Sequence, residues 1–445
     1  MAELNAGPNA LLALVRDQRQ GVTRGMPSLC SAHPFVLRTA FEQARERNEP
    51  VLVESTSNQV NQDGGYTGLR PADFVEFVGR AADEAGLRRG RVILGGDHLG
   101  PYPWRSLPAR AALERACEMV RAYVRAGYAK IHLDASQACA DDPAALPEAL
   151  VAERTAVLAV AAEAARDGLA SEPPVYVIGT EVPPPGGQQD GHVAGPAVTR
   201  PGDAARSLAL TRDAFARHGL QRAWERVLAL VVQPGVEFGD DAVHRYRREA
   251  AAGLRVLAES DDGLLYEAHS TDYQDARALR GLVVDHFAWL KVGPELTFAF
   301  RESVFALETI ERELLGERAS VTLSGVRGAL AAAMLDDPRH WSGFYTGDAA
   351  ALRLSRAFSL SDRARYYWTR PAVAAAVSRL FANLEGRRLP AGLVSQYLPH
   401  ASEAAHDAAA TTLASLHVRR VLDRFARACS EEPAGSSGGQ GVPLR

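Results

Sequence analysis

An acidic and a basic side chain stand next to each other where one apolar run of the sequence ends. The segment reads ILGGDHLGP, so Asp97 and His98 follow two glycines and precede a Gly-Pro pair. An aspartate at such a place either caps a turn or exchanges protons beside a histidine that binds a metal ion. Imidazole and carboxylate together suit Zn²⁺, Mn²⁺ and similar divalent ions. The pair by itself leaves both interpretations open.

Two further segments carry ionisable side chains at strand spacing. In KIHLDAS, Lys130, His132 and Asp134 alternate with apolar residues, and in YEAHST, Glu267 and His269 do the same. Side chains two positions apart lie on the same face of a strand, so each set shares one face. Such groups are costly to bury unless they serve one another or a bound ion. The histidines therefore favour a metal site, although a lone strand histidine is more often a satisfied core residue.

The elements that must position these residues alternate regularly along the chain. Short β-branched runs are separated by long segments of helical period, which predicts βα units around a parallel sheet. The eight predicted strands are residues 28–31, 51–55, 91–95, 130–134, 175–180, 227–232, 264–268 and 288–292. Predicted helices between them are residues 71–85, 109–126, 150–167, 204–218 and 241–260. Eight such units predict a (β/α)8 TIM barrel. A doubly wound sheet is the alternative, but no GxGxxG motif opens any of these units.

Polar residues follow the carboxyl end of every predicted strand. Examples are SLCSAHP, ESTSNQVNQ, GTEVPPPGG and EAHSTDYQ. In a parallel barrel these ends meet at one rim, and that rim carries the active site. We therefore expect a functional face there. The stretch 183–202 after the fifth strand is long enough to be a lid or a ligand loop.

Helical segments predominate after about residue 297. They cover residues 301–315, 326–335, 348–356, 372–384 and 407–427. This pattern predicts a barrel over residues 1–315, a helical extension packed on it over residues 316–428, and a disordered tail over residues 429–445. The tail is rich in Gly, Ser and Pro, which cannot build a packed core.

Composition excludes several classes of partner. The chain has 445 residues, 47% of them hydrophobic, and a net charge of −4, so neither nucleic acid nor an anionic membrane is an expected partner. No apolar run is long enough for a signal peptide or a membrane span. Four cysteines without metal-ligand spacing predict free thiols and a cytoplasmic location. We also expect a homo-oligomer.

Two observations narrow the chemistry further. No P-loop is present, and the one GxSxG string lies in the Gly-rich tail, which argues against a kinase and a serine hydrolase. The chain has two lysines, Lys130 and Lys291, against 48 arginines. Where arginine is the usual cation, a lysine either marks a site that needs a compact ammonium or reflects codon bias alone.

The ordered motifs of the chain resemble those of one known family over about residues 10–427. They are CSAHP, ESTSNQVNQDGGYTG, ILGGDHLGP, KIHLDAS, IGTEVPPPGG, VVQPGVEF, YEAHSTDYQ, LKVGPELTFAFRE, SLSDRARYYW and SQYLP. The family is the non-catalytic or accessory subunit of class II tagatose-bisphosphate aldolase. It is more distantly similar to the catalytic class II aldolases, which are zinc-dependent barrels. That resemblance implies that Asp97 is the acid–base group and that His98 and His269 bind metal.

The resemblance has one departure at the sixth strand. Aldolases take a further zinc histidine there, whereas this chain has Gln233, a poor zinc ligand. His132 and Glu181 would then complete a different metal shell. The cofactor implied is a divalent ion, Zn, Mn or Ni.

Members of the family are associated with epimerisation at C4 of ketohexoses. The resemblance therefore implies a metal-dependent enzyme that interconverts D-fructose and D-tagatose, or their phosphates, by breaking and remaking the C3–C4 bond. The alternative is a non-catalytic subunit that stabilises and activates a separate tagatose-1,6-bisphosphate aldolase. The partners would be a sugar or sugar phosphate in the first case and a catalytic aldolase subunit in the second.

The predicted site residues fall into three groups. The catalytic candidates are Asp97, Asp134, Glu181 and Glu267, and the metal candidates are His98, His132, Glu181 and His269. The substrate-binding candidates are His33, Ser55, Asn58, Gln59, Gln233, Ser270, Asp272, Lys130, Lys291 and Gly293. The segment Lys291-Val-Gly-Pro could present an ammonium and backbone N–H groups to a phosphate. Arg363 and Arg365 either do the same or form buried salt bridges to Asp362 or Glu302.

Overall fold

Eight parallel strands close into a barrel in the computed structural model, which describes residues 7–143, 145–169, 171–179, 195–260, 264–404 and 408–430. The strands are β1 Met26–Leu29, β2 Val51–Thr56, β3 Val92–Leu99, β4 Lys130–Leu133, β5 Val175–Gly179, β6 Val227–Val231, β7 Leu265–Ala268 and β8 Phe287–Val292. Each strand pairs with its neighbours in chain order, and β8 pairs with β1. The predicted (β/α)8 barrel is confirmed.

The described residues form fifteen α-helices. They are α1 Asn9–Arg19, α2 Pro34–Arg47, α3 Pro71–Glu84, α4 Ala109–Arg125, α5 Glu148–Ala164, α6 Pro201–Arg217, α7 Gln221–Trp224, α8 Ala252–Ser260, α9 Ala276–Val284, α10 Pro294–Leu315, α11 Val326–Asp336, α12 Ala349–Phe358, α13 Pro371–Leu384, α14 Ala391–Tyr397 and α15 Ala410–Cys429. Five of them begin with proline, whose fixed φ and missing N–H suit the first helical turn.

Two predicted boundaries were wrong. β3 does not end at residue 95 but continues to Leu99, so Asp97 and His98 lie within the strand. The predicted helix over residues 241–260 is reduced to α8, because a short antiparallel pair, Glu237–Phe238 with Val243–His244, occupies the chain before it.

The last helix, α15, completes the outer ring of the barrel. It packs against α2, α9, α10 and β1, while α11 and α13 lie on α10. Buried Phe41 of α2 and Phe425 of α15 belong to the same hydrophobic cluster. The division into a barrel and a helical extension at residue 315 stays a prediction, and most of the predicted tail lies outside the described residues.

The interior of the barrel changes from apolar to charged along its axis. Near the amino ends of the strands, Leu52, Ile93 and Trp289 pack together with Leu11 and Leu14 of α1, which plugs that end. One step further along the same inward faces come Glu54 of β2, Lys130 of β4, Glu267 of β7 and Lys291 of β8, all buried. The alternation of side chains along each strand produces this layering. Chemistry is therefore confined to the carboxyl ends of the strands.

The two glycines of ILGGDHLGP make room on both faces of β3. A Cβ on Gly95 would lie 2.7 Å from Glu54 Cγ inside the barrel. A Cβ on Gly96 would lie 2.6 Å from Leu99 Cδ1 and 2.7 Å from Tyr123 Cδ1 outside it. Both distances are shorter than any ordinary carbon–carbon contact. The pair of glycines thus lets a buried carboxylate and a buried aromatic ring approach the strand from opposite sides.

No helix within the described ranges is both long and apolar enough to cross a membrane.

Replacing Gly95 by Ala tests this packing. The added methyl group would clash with Glu54, and neither the strand nor the paired carboxylate can move freely to relieve the clash. We therefore expect the free energy of unfolding to fall by about 1–3 kcal/mol. Urea denaturation measures the change. Gly328→Ala in α11 is the matched control, because nothing lies within 4 Å of its Cβ position and alanine favours a helix. Equal destabilisation by both substitutions would contradict the argument.

Candidate active site

Four residues at the carboxyl end of the barrel bring potential metal-ligand atoms together. Asp97, His98, His132 and His269 each contribute one such atom, and these atoms lie within 4.8 Å of one another. The first two belong to β3, the third to β4, and His269 directly follows β7. Residues that are far apart in the sequence therefore meet at one point of the rim.

His98 is held with one ring nitrogen free. Its backbone takes a positive φ of 49°, and its Nδ1 donates to Asp134 Oδ2 at 2.8 Å. Asp134 is itself fixed by the backbone N–H and the hydroxyl of Ser136, at 3.0 and 2.7 Å from its Oδ1. The other ring nitrogen of His98, Nε2, is buried and has no hydrogen-bond partner among the described residues.

His269 is held in the same way. Its Nε2 donates to Glu267 Oε1 at 2.9 Å, and its Nδ1 is buried with no hydrogen-bond partner in the described part of the chain. Burial and the nearby Lys291 ammonium keep the pKa of His269 well below its ordinary value. The ring therefore stays neutral and keeps a lone pair on Nδ1.

His132 completes the set of imidazoles. Its Nε2 donates to the carbonyl oxygen of Gly179 at 3.0 Å, and its Nδ1 accepts the backbone N–H of His98 at 3.1 Å. The same Nδ1 lies 3.0 Å from Asp97 Oδ1. His132 Nδ1 thus lies between the His98 backbone N–H and the Asp97 carboxylate.

These residues fit a divalent metal ion. Three imidazoles are a familiar ligand set for zinc and similar ions, and two of their nitrogens are buried with no hydrogen-bond partner in the part of the chain that the structure describes. Each imidazole also has an outer partner that orients it, namely Asp134, Glu267 and the Gly179 carbonyl. Such outer partners are typical of metal-binding histidines.

A network of buried charges lies beneath this cluster. Lys130 Nζ lies 2.7 Å from Glu54 Oε1 and 2.6 Å from Glu267 Oε2. Lys291 Nζ bonds to Asp97 and lies 2.8 Å from Glu267 Oε1. The two lysines of the chain thus both serve this network, which supports the interpretation that they mark a site.

The charges of the network do not balance without a cation. The four carboxylates of Glu54, Asp97, Asp134 and Glu267 face two ammonium groups, so two negative charges remain when the imidazoles are neutral. A divalent ion supplies the missing charge. Burial alone would lower the pKa of His98, but the Asp97 and Asp134 carboxylates raise it above its ordinary value. The excess of negative charge thus also favours the protonated form of His98.

Asp97 is ionised in this setting. Burial would raise its pKa, yet the nearby His98 and the Lys291 ammonium hold the pKa well below its usual range. A carboxylate kept ionised beside a free cavity can accept a proton from a bound hydroxyl group.

The cluster opens into a cavity of about 350 Å³. Predicted residues that line it are Asn58, Gln59, Asp97, His98, Asp134, His269, Ser270, Asp272, Lys291 and Gly293. The helical segments after α10 supply the opposite wall with Arg339, His340, Phe344, Arg363, Arg365 and Tyr366. Barrel and extension thus enclose the cavity together.

Three predicted substrate-binding residues are not among those that line this cavity. Ser55 points out of the barrel, because its hydroxyl bonds to those of Tyr123 and Tyr128 at 3.1 and 3.2 Å. Lys130 is locked between two glutamates below the cavity. Gln233 closes the turn after β6, since its Oε1 accepts the backbone N–H groups of Gly235 and Val236 at 2.8 and 2.9 Å.

Other predicted residues lie near the site but in different positions. Glu267 is buried under the cluster between both lysines and His269, so it orients those groups and does not face the cavity as a catalytic residue would. His33 lines a smaller adjoining cavity of about 130 Å³ and packs against Phe300. Glu181 lies outside the described residues.

The predicted phosphate cradle at Lys291-Val-Gly-Pro is also contradicted. The backbone N–H of Gly293 donates to Asp272 Oδ1 at 3.0 Å, and the Lys291 ammonium is bound by Asp97 and Glu267. Neither group is available to a phosphate.

The two arginines of SDRAR are not in the expected salt bridges. Asp362 pairs instead with Arg301, at 3.3 Å, and Arg363 and Arg365 have no carboxylate partner within the described ranges. Arg363 is 4% exposed, donates to the His340 carbonyl at 3.0 Å and leaves its Nε without a partner among the described residues. Burial lowers its pKa to about 10. Arg365 donates to the carbonyl of Asp362 at 3.1 Å.

Sequence reasoning missed several residues of the site. Glu54 precedes Ser55 directly, and a correct choice of the inward face of β2 would have found it. Tyr66, Tyr102, Arg339 and His340 line the cavity from loops and from the extension. Tyr66 lies within the quoted segment ESTSNQVNQDGGYTG, whereas none of the quoted motifs includes the other three positions.

Comparisons with known proteins agree with this architecture. Residues 11–430 match the protein family described as D-tagatose-1,6-bisphosphate aldolase subunit GatZ/KbaZ-like. The chain is similar to a probable tagatose 6 phosphate kinase from Sinorhizobium meliloti 1021, with 44% identity and a TM-score of 0.83 over 91% of this chain and 100% of that chain.

Two aldolase structures are more distant. The fructose-bisphosphate aldolase from Campylobacter jejuni has 11% identity and a TM-score of 0.44, over 90% of this chain and 95% of that chain. The YdjI aldolase from Escherichia coli K12 has 12% identity and a TM-score of 0.41, over 85% of this chain and 98% of that chain.

Metal binding can be measured directly. We expect the protein to bind a divalent ion, and His98→Ala or His269→Ala to abolish binding, because each removes a nitrogen that has no other partner. Asp134→Asn should weaken binding by about 10- to 100-fold, since it acts only through His98. Titration calorimetry of the metal-free protein with Zn²⁺, Mn²⁺ and Ni²⁺ gives the affinities.

His218→Ala is the control, because this histidine lies on α6's carboxyl end and bonds to Glu153, away from the cluster. Unchanged metal content in both His98→Ala and His269→Ala would refute the site.

Proposed function

The chain belongs to the D-tagatose-1,6-bisphosphate aldolase subunit GatZ/KbaZ-like family, and from that premise we propose that it is a metal-dependent ketohexose 4-epimerase. It would interconvert D-fructose and D-tagatose, or their phosphates, by breaking and remaking the C3–C4 bond. The observation that carries the proposal is the pair of buried nitrogens of His98 and His269, which have no hydrogen-bond partner among the described residues and lie beside Asp97.

The chemistry of the substrate favours this route. The hydrogen on C4 of a 2-ketose is not acidic, so direct deprotonation at C4 is difficult. Cleavage between C3 and C4 avoids that step, because the electron pair of the broken bond is delocalised onto the C2 carbonyl. His98, His132 and His269 would hold a divalent ion, which would act as a Lewis acid and stabilise this negative charge.

The side chains of this protein supply the proton transfer. Asp97 accepts the proton of the C4 hydroxyl group as C4 becomes an aldehyde. Lys291 bonds to Asp97 and keeps it ionised and oriented. Asn58, Gln59 and Ser270 line the cavity and suit sugar hydroxyls. The aldehyde half then turns and rejoins with the opposite configuration at C4.

The arginines on the opposite wall favour a phosphorylated substrate. Arg363 and Arg365 line the cavity without a carboxylate partner in the described part of the chain. Burying an unpaired guanidinium is costly, and a phosphate group would satisfy it through charge-assisted hydrogen bonds. A ketohexose phosphate would then place its sugar carbons toward the barrel and its phosphate toward the extension.

A supporting role beside a separate aldolase subunit is the second function that the family description allows. A purely supporting subunit does not need an unbalanced buried charge cluster facing a cavity. The cluster costs stability and gains nothing from partner binding alone. This consideration favours the enzyme.

The epimerase proposal predicts metal-dependent turnover by the isolated protein. With the preferred ion present, the protein should convert fructose or fructose 6-phosphate to the tagatose epimer, and a chelator should abolish the reaction. Asp97→Asn, assayed at saturating metal, should lower kcat by about 10²- to 10⁴-fold, because the proton acceptor is lost. Chromatography of the two epimers measures the rate, and His218→Ala serves as the unaffected control.

The supporting role predicts a different outcome. The isolated protein would then give no turnover with any of the three ions, while its addition would prolong the activity of a tagatose-bisphosphate aldolase. That result would replace the enzyme proposal.

The arginines make a separate prediction about the substrate. Arg365→Gln should raise KM for the ketohexose 6-phosphate by about 10-fold or more, which corresponds to one lost charge-assisted hydrogen bond. It should change KM for the free ketohexose little. Arg353→Gln is the control, because Arg353 is an exposed residue on α12. An equal rise of KM for both substrates would contradict phosphate binding here.

A further inference from the structure

A second carboxyl group faces the cavity, but unlike Asp97 it has no ion-pair partner among the described residues. Asp272 follows β7, is 2% exposed and lines the same cavity. Its Oδ1 accepts the backbone N–H groups of Gly293 and Glu295, at 3.0 and 2.8 Å. Both of these bonds use one oxygen, so the other oxygen is not needed to hold the loop.

The charges around Asp272 do not stabilise its ionised form. No cation lies within ion-pair distance of it in the described ranges. Its charged neighbours are Glu295 at the start of α10, which is itself bound to Arg424 of α15, and Glu237 after β6. Burial and Glu295 raise the pKa of Asp272 to about 7. Asp97, by contrast, is surrounded by cations.

We propose that Asp272 is the second acid–base group of this site. Asp272 exchanges a proton with the C4 oxygen of one ketohexose epimer, and Asp97 exchanges a proton with the C4 oxygen of the other. The inference rests on the proposed epimerisation and deepens it. Asp272 lines the cavity with a buried carboxyl group, and only one of its two oxygens is used to hold the loop, which is the geometry that an acid–base group needs.

The reaction requires two such groups. When the aldehyde turns, the oxygen on C4 points to the other side of the cavity, so the group that took its proton cannot return one. Asp97 lies on β3, whereas Asp272 is tied to the end of β8 through Gly293. The two carboxyl groups therefore reach the cavity from different strands of the barrel.

The proton balance closes over one turnover. Asp97 gains the proton of the C4 hydroxyl group as the C3–C4 bond breaks and its electron pair enters the C2–C3 unit. The same electron pair then forms the new bond to the other face of C4, and Asp272 gives its proton to the C4 oxygen. Water in the open cavity returns a proton to Asp272 and removes one from Asp97 after the product leaves.

The stereochemistry of the reverse reaction tests this assignment. The holoenzyme is incubated with dihydroxyacetone and D-glyceraldehyde 3-phosphate, and the initial rates of formation of fructose 6-phosphate and tagatose 6-phosphate are measured. We expect the wild-type protein to form both. Asp272→Asn keeps an oxygen for Gly293 and Glu295, so it should slow one epimer by about 10²-fold and change the ratio of the two.

Three further measurements distinguish a role of Asp272 in proton transfer from a general effect of the substitution on the site. Asp97→Asn should shift the ratio in the opposite direction. Asp275→Asn, an exposed cap of α9 on the same loop, should leave the ratio unchanged. In the wild type, the epimer that needs Asp272 as an acid should form more slowly as the pH rises through about 7, because the protonated form is then lost. Metal content is measured for every variant.

The possible failures are distinguishable. If the wild-type protein forms neither epimer, the proposed function fails and the role of Asp272 fails with it. If the wild type forms both epimers and Asp272→Asn lowers the two rates equally, or lowers neither, only the role of Asp272 is overturned. A ratio that is independent of pH in the wild type would likewise overturn it without use of a variant.

Discussion

The interior of this barrel depends on the neutralisation of buried charge. Glu54, Lys130, Glu267 and Lys291 lie on the inward faces of four strands, where water is excluded. An isolated ion in such a place would cost several kcal/mol, and removal of one partner from a buried pair typically costs about 3–5 kcal/mol. The strands must therefore meet in the register that brings these groups together. Closure of the barrel brings the charged groups together, and the pairing of those groups in turn favours this strand register.

The same constraint explains the use of lysine and glycine. Lys130 lies between two carboxylates in a space that a planar, forked guanidinium would not fit, and a compact ammonium satisfies both. Gly95 faces Glu54 across β2 and β3 and leaves the volume that the carboxylate fills. The two lysines and Gly95 are thus consequences of one layer of charge, whereas Gly96 makes room for Tyr123 on the outer face.

The sequence predicted the barrel, its active rim and most of the residues around the metal cluster. It failed where the answer depends on which face of a strand turns inward. Glu54 and Ser55 are adjacent polar residues, and only the closed sheet makes Glu54 the inward one. At the opposite wall it named Arg363 and Arg365 from the segment SLSDRARYYW, but it failed at Arg339, His340 and Phe344, which line the cavity without lying in any quoted motif. The partners of Gly293 and Asp272 are equally non-local.

The two walls of the cavity hold their charged side chains in different ways. On the barrel side, every charged group has several fixed partners, so a change at one position disturbs the others and the chemistry is held constant. On the side of the extension, Arg363 and Arg365 are held mainly by backbone carbonyls and by Tyr366, so they could be exchanged without unbalancing the barrel. A site divided in this way can change the polar end of its substrate while it keeps the same reaction at the sugar carbons. The loop after β7 joins the two walls, because Thr271 and Asp272 bond to Lys291 and Gly293 of the barrel while the Tyr273 hydroxyl donates to the Leu360 carbonyl of the extension at 2.7 Å.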